Sequence, residues 1–303
     1  MSERSVRTDL AVEARELAHE RAGDTSDISG VEVREYSSEG CPVTHVKILD
    51  EQGSEALGKP PGAYVTVELA GLARHEPESF ARAVRAVAAE LLSLLPVDGQ
   101  YGVLVAGLGN REITPDAVGP LCVDSVMVTR HLVDKMPEHF GHMRPVSAVV
   151  PGVLGTTGME TVEILSGIIG KTCPGVVIFV DALASRRLSR LCSTVQLSDT
   201  GIVPGSGVGN SRAAMNQKTL GLPVISMGVP TVVDAVTLMA DLLEKTGQPD
   251  LDLDAVSKFS GGLMVTPKEI DTHVADISRV IGYAINLALH PGITVEDVTN
   301  FLA

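Results

Sequence analysis

VLVAGLGNREITPDAVGPLCVDSVMVTR, residues Val103 to Arg130, is the stretch whose reading decides the fold. Val103–Ala106 is short, apolar and β-prone, as expected of a strand covered on both faces. Gly107 and Gly109 allow a sharp turn and keep a crevice open at the strand's end. Thr114 is placed to cap a helix, with Pro115 at its first position and Asp116 in its first turn. Pro120, after Gly119, offers a second start. A counterpart lies at Val176–Ala184, VVIFVDALA, where another buried-looking strand ends on Asp181. Asp116 and Asp181 are predicted to meet in space and carry the chemistry; the alternative role of either is to cap a loop or helix. A carboxylate near a helix N-terminus is stabilised as the anion, which favours Asp116 as the charged member of the pair.

Composition frames the rest. The 303 residues suffice for a substantial core, as one large domain or two small ones. The formal charge of −14 argues against direct binding to nucleic acid and for a basic or neutral partner. Cys41, Cys122, Cys173 and Cys192 stand at scattered spacings, which read as reduced, buried thiols. No run of about 18 apolar residues appears, so no membrane span is expected. The first residues, MSERSVRTDLAVEARELAHE, contain no apolar signal core, and the expected location is cytoplasmic.

Outward from the central stretch, the periodicities predict a helix over Leu10–Arg21 and a hairpin of Val31–Tyr36 with Val43–Leu49. A short helix at Glu51–Leu57 ends at Lys59-Pro60-Pro61-Gly62, and a strand follows at Ala63–Leu69. Pro77–Leu95 is an amphipathic helix. Strands and helices then alternate. The strand Val103–Ala106 leads to a helix near Pro120–Lys135, and Val146–Val150 leads to a helix at Met159–Gly170. Val176–Val180 precedes a helix near Ala184–Leu191, and Thr194–Leu197 precedes the loop SDTGIVPGSGVGNSR. Val224–Met227 is followed by a helix at Val232–Glu244, and a last helix covers Pro267–Leu289. Gln248–Asp254 reads as an acidic surface loop. This alternation predicts a layered α/β sheet with several parallel strands and an N-terminal β-hairpin addition. In such sheets ligands sit beyond the carboxyl ends of strands, where Gly107–Gly109, Pro151–Gly158, Asp181 and Ser198–Asn210 converge.

Several short motifs point elsewhere and are weaker. GLGNRE starts like a dinucleotide fingerprint, but Glu112 stands where the third glycine belongs. Gly205–Asn210, GSGVGN, reads as a flexible loop or a substrate-binding lid. Ser206 is no nucleophile elbow, because Pro204 replaces the leading glycine. Asp199-Thr200-Gly201 resembles the triplet of pepsin-like and retroviral aspartic proteases, but those folds are all-β and use two triplets; a turn around Asp199 is the simpler role. His139 and His142 suggest a metal, but no H-E-x-x-H is present, and no metal ligand or cofactor is assigned.

SVRTDLAVEA, the central GLGN with TPDA, GP and TRHL, then RPVSAVVPGV, VDALA, SDTGIVPGSGVGN, GVPTVVDA and LMVTPKEID occur in one order along the chain. Together they resemble the germination protease (spore protease) family of spore-forming Firmicutes, over nearly the whole length. The resemblance implies a phosphorylase/hydrolase-like α/β fold related to that of the hydrogenase-maturing endopeptidases. It implies an endopeptidase that starts the degradation of small acid-soluble spore proteins at germination. Such enzymes act in the forespore or spore core as homotetramers, are made as self-processing zymogens, and are atypical aspartic proteases once placed among metalloproteases. The family's two catalytic aspartates correspond to Asp116 in T-P-D-A and Asp181 in D-A-L-A.

The resemblance also places self-cleavage between Asp9 and Leu10. That makes residues 1–9 a propeptide and residues 10–303 a single peptidase domain. The Leu243–Leu263 region is shorter than in Bacillus members. Two carboxylates held close share one proton. The ionised one activates water, while the protonated one hydrogen-bonds the scissile carbonyl and helps protonate the leaving amine. Acidic residues near the cut, here Asp9 and Glu13, predict a basic subsite. Its candidates are Arg144, Arg186 and Arg212, with Arg130 and Arg187. The alternatives are a metal-dependent relative of the hydrogenase-maturing endopeptidases and an inactive α/β binding protein.

Overall fold

Apolar strands between Val103 and Asp234 stack into the centre of one nine-stranded sheet in the computed structural model, which describes residues 7–23, 27–74, 76–97, 101–205, 212–246 and 262–303. The strands are β1 (Val31–Ser38), β2 (Cys41–Ile48), β3 (Gly62–Glu68), β4 (Val103–Gly107), β5 (Val146–Val149), β6 (Val176–Ser185), β7 (Thr194–Ser198), β8 (Val224–Asp234) and β9 (Met264–Val265). Their order is β1-β2-β3-β7-β8-β6-β4-β5, with β9 paired to β8. The block β5-β4-β6-β8 is parallel, and β7, β3, β2 and β1 continue it by antiparallel pairing. This is the mixed α/β sheet with a parallel centre and an N-terminal hairpin that the sequence pattern implied.

Both faces of the centre are covered, which is why β4 is buried at every position. Val103, Val105, Val176, Ile178 and Val180 face the larger core with helices Ser79–Leu94 and Ile270–Leu289. Leu104, Ala106, Val177 and Phe179 face the other way, toward helix Thr161–Thr172. A third cluster seats the N-terminal helix Ala11–Ala22 on the hairpin.

Two expected helices differ, and one helix was not expected. The helix expected over Pro120–Lys135 is two, Val118–Val123 and Arg130–Lys135. Between them Asn286 takes the backbone for itself: Met127 N–H donates to its Oδ1 at 2.8 Å and its Nδ2 donates to Ser125 O at 2.8 Å. The helix expected near Ala184–Leu191 is replaced by the continuation of β6 to Ser185 and a 3₁₀ turn at Leu188–Arg190. A helix not expected, Val295–Leu302, carries a capping box from Thr294 and Asp297. The loops expected at Gly205–Asn210 and Gln248–Asp254 fall, apart from Gly205, outside the described residues. Of the cysteines expected to be buried, Cys122 and Cys192 are, whereas Cys41 is half-buried at the start of β2 and Cys173 is exposed past the end of helix Thr161–Thr172.

Helix Val118–Val123 starts where it does because glycine removes the obstacle. A Cβ on Gly119 would collide with the backbone of Leu108 and Val180, and one on Gly107 with Gly119 O. The helix start therefore rests on the main chain just past β4 and in the middle of β6. Gly119→Ala is expected to destabilise the fold by about 1–3 kcal/mol, read as a lower denaturant midpoint with an unchanged m-value.

Candidate active site

Asp116 is fixed by backbone. It ends a 3₁₀ turn, Thr114–Asp116, rather than opening a helix capped by Thr114. Asn110 N–H donates to Asp116 Oδ2 at 2.8 Å and to its carbonyl at 3.1 Å. Gly109, at φ 106°, makes this approach possible, since a Cβ there would strike Asp116 O. Thr231 Oγ1 donates to Pro115 O at 2.7 Å and ties the turn to β8.

Asp181 lies one register step past the pairing of Gly107 with Val180, beyond the end of β4. It is 6% exposed, and its Oδ1 accepts from Ala182 N–H at 2.9 Å. Burial, and then the charge of Asp116, push its carboxyl well above the usual carboxylate range. Burial also raises Asp116, but the Asn110 N–H opposes it by stabilising the anion. The environments of the two acids are thus unequal, with Asp116 the better anion and Asp181 the better acid.

The native pKa of Asp181 lies above the value of about 3.9 for an unfolded chain. Between those two values the folded protein holds a proton that the unfolded chain has lost, so stability falls as pH rises through the interval. Asp181→Asn removes that cost. Its melting temperature is expected to exceed wild type at about pH 8, by roughly 2–4 °C per kcal/mol released. The gap closes toward about pH 4, below which both states of the wild type are protonated. A constant gap across that range would reject this account.

Both acids line a cleft of about 1000 Å³ beyond the carboxyl end of β4 and beside the middle of β6, with Gly109, Leu183, Thr200, Gly201 and Gly228 also in its wall. The chain's own N-terminal segment forms part of its wall, through Arg7, Thr8 and Asp9. Asp9 N–H donates to Ala184 O at 2.9 Å, and Ala184 N–H donates to Asp9 Oδ2 at 2.8 Å. This contact sits at an irregularity of the β6–β8 pairing, where Leu183 opposes Pro230 and Ala184 opposes Val232. Such a bulge re-aims backbone groups. The Asp9 carbonyl accepts from Lys59 Nζ at 2.8 Å and from Gln196 Nε2 at 3.1 Å. Leu10, Ala11 and Glu13 are fully buried.

Glu13 is the anchor of this segment. Its carboxylate accepts from the backbone N–H of Arg186 at 2.6 Å and of Arg187 at 3.0 Å, and from the Arg190 guanidinium at 3.2 Å. The Thr8 hydroxyl also donates to it. Around it, Glu16 pairs with Arg187 at 2.7 Å and Arg190 at 2.6 Å, and Glu20 with Arg186 at 2.7 Å.

The candidate arginines separate accordingly. Arg212 lines the cleft and stands 4.0 Å from Glu160. The Arg186 side chain does not line it; its guanidinium is buried against Glu20, and only its backbone N–H reaches Glu13. Arg144 is away from the cleft, stacked 4.4 Å over the Tyr101 ring. A charged side chain's direction depends on partners remote in sequence, which the sequence reading did not supply for either. Arg190, Lys59 and Gln196 were missed. The run RRLSR facing ELAHE, and a glutamine inside the buried strand TVQLS, were the available signals. Asp199 accepts from Ala63 N–H at 2.8 Å, a backbone-holding role at the start of β3. Among the described residues no three His, Cys, Asp or Glu side chains gather as a metal site, and no helix is long and apolar enough to cross a membrane.

Comparison with known proteins adds to this geometry. The profile described as germination protease matches residues 11–247 and 243–302. The two matched stretches meet at the region read from sequence as shortened. The chain is 45% identical to the germination protease of Caldanaerobacter subterraneus subsp. tengcongensis, over 98% of each chain. It is 42% identical to that of Clostridium tetani, over 98% of this chain and 99% of the relative. For that of Bacillus mycoides the identity is 40%, over 98% and 97%. Among solved structures, a nickel–iron hydrogenase maturation protease, HycI from Thermococcus kodakarensis, aligns with a TM-score of 0.35 and 16% identity, over 65% of this chain and 98% of that one.

Proposed function

The chain belongs to the germination protease family, and on that premise we propose that it is a self-processing endopeptidase whose Asp116 and Asp181 form an aspartate dyad. Residues 1–9 are its propeptide, and its substrates in the spore are small acid-soluble proteins, cut by a homotetramer in the spore core. The observation that carries the reading is the position of Asp9. Asp9, the residue before the bond expected to be cut, lines the same cleft as Asp116 and Asp181.

The unequal environments of the two acids give each a task. Asp116, the better anion, takes a proton from water as the water oxygen attacks the Asp9 carbonyl carbon. Asp181, kept protonated by burial and by its neighbour, gives its proton to the Leu10 nitrogen as the C–N bond breaks. The products are a carboxyl group on Asp9 and a free amine on Leu10. The Asp116 proton then returns to solvent or to Asp181.

The test is intact mass and N-terminal sequence after mildly acidic incubation, with and without chelator. Loss of residues 1–9 from wild type, unaffected by chelator, is the expected result. Arrest by chelator would replace the dyad with metal-dependent chemistry, and an unchanged mass in every condition would reject self-processing.

A further inference from the structure

The Asp9 carbonyl is held in a way that a passive tether does not require. Its oxygen accepts from a cation, Lys59 Nζ at 2.8 Å, and from an amide, Gln196 Nε2 at 3.1 Å. The same glutamine turns its Oε1 to Ala11 N–H at 2.7 Å. One side chain therefore grips the main chain on both sides of the Asp9–Leu10 bond. Gln196 opposes Gly228 on β8, and Gly228 opposes Asp181 on β6. Residues in one lateral row of a sheet project to the same face, so the glutamine and the acid stand on one surface, with a residue lacking a side chain between them. Lys59 is set by the turn before β3, where Tyr64 Oη donates to Pro60 O at 2.9 Å. Burial lowers its pKa below the usual lysine value, and the carboxylates of Asp9 and Glu13 offset that only in part.

We infer that Lys59 and Gln196 are the carbonyl-binding groups of the protease: Lys59 and the Gln196 amide take up the negative charge that develops on the scissile oxygen, and Gln196 sets which bond is cut. This rests on the reading of Asp9–Leu10 as the scissile bond. Donors fixed where charge develops lower the barrier because they need no reorganisation during the reaction. With both Lys59 and Gln196 on the carbonyl oxygen, the Asp181 proton is not needed there. It is left for the Leu10 nitrogen. Water oxygen adds to the carbonyl carbon, its proton goes to Asp116, the C–N bond breaks, and the nitrogen takes the Asp181 proton. Lys59 gives up no proton in the cycle. The division of labour differs from the one expected from two carboxylates alone, in which the protonated acid also serves the carbonyl.

The experiment follows self-cleavage of the full chain by intact mass, for wild type, Lys59→Met, Lys59→Arg, Gln196→Met, Asp116→Asn and Asp181→Asn, with a melting curve for each. Lys59→Met is expected to slow the first-order rate by about 10²-fold, and Lys59→Arg to recover at least about tenfold of that loss by restoring the cation. Gln196→Met is expected to slow the cut and spread it to Thr8–Asp9 and Leu10–Ala11. A residue that only tethers the segment would move the melting curve and not the cut site, and Gln196→Met remains the test if Lys59→Met does not fold. Rates within about threefold of wild type and an unchanged cut site in both Lys59→Met and Gln196→Met, with the aspartate variants inactive, overturn this proposal and leave the dyad standing. Slow Lys59→Met and Gln196→Met beside fully active aspartate variants uphold it and overturn the dyad. A wild type that never cuts Asp9–Leu10 overturns both.

Discussion

Asp116→Asn and Asp181→Asn are each expected to slow hydrolysis of the Asp9–Leu10 bond by about 10³-fold or more, equivalent to roughly 4 kcal/mol of transition-state stabilisation. Both changes are near-isosteric. Asn at 116 still offers an oxygen to the Asn110 N–H, so the turn that carries it is kept. What it loses is the ability to take a proton from water. Asn at 181 keeps the volume in a buried position but has no proton to give. Intact-mass time courses give the rates, and circular dichroism shows that the fold is retained. The wild-type rate is expected to fall as pH rises through the raised pKa of Asp181, because the acid is then spent, and to fall at low pH as Asp116 is protonated. A variant that stays within tenfold of wild type removes that residue from the chemistry.

The second large effect is on stability. Glu13→Ala is expected to destabilise the protein by about 3–5 kcal/mol, as breaking a buried ion pair from one side does. The alanine would leave Arg190 without one of its carboxylates and two backbone N–H groups, on Arg186 and Arg187, without an acceptor. Buried donors left unmade are costly in themselves. The melting temperature is expected to drop by at least about 6 °C. The exposed pair Arg85–Glu39 is the control: its removal is expected to cost no more than about 1 kcal/mol. A Glu13→Ala shift as small as that of the control would mean that the N-terminal helix docks without its anchor.

How much of this was legible depended on how local each signal was. Asp181 was read as a strand end, whereas β6 runs on to Ser185 because its backbone keeps pairing with β8. The turn after β4 was legible, because a short apolar run closed by glycine reports local geometry. The break between Val123 and Arg130 was not, because Asn286, far along the chain, claims the backbone there. The grip on Asp9 was hidden for the same reason: Lys59 lies 50 residues away and Gln196 lies 187 away. Lys59 read only as part of a helix stop. The last helix was different. Its Thr294–Asp297 box is a local signal, present in the sequence and passed over.

The Glu13 anchor lies on the far side of the bond from residues 1–9, and Leu10 and Ala11 are packed away beside it. Severing Asp9 from Leu10 would free the upstream peptide but not the stretch that follows, which stays covalently joined to the sheet through the N-terminal helix. That stretch then acts as a resident competitor, present at the millimolar effective concentrations typical of short linkers. An incoming protein would have to displace it rather than enter an empty groove. Under the proposed self-cleavage, the turnover of foreign chains would thereby be coupled to how readily the helix Ala11–Ala22 lifts its first turn, and loosening Glu13 would change the apparent KM before it changed the chemistry.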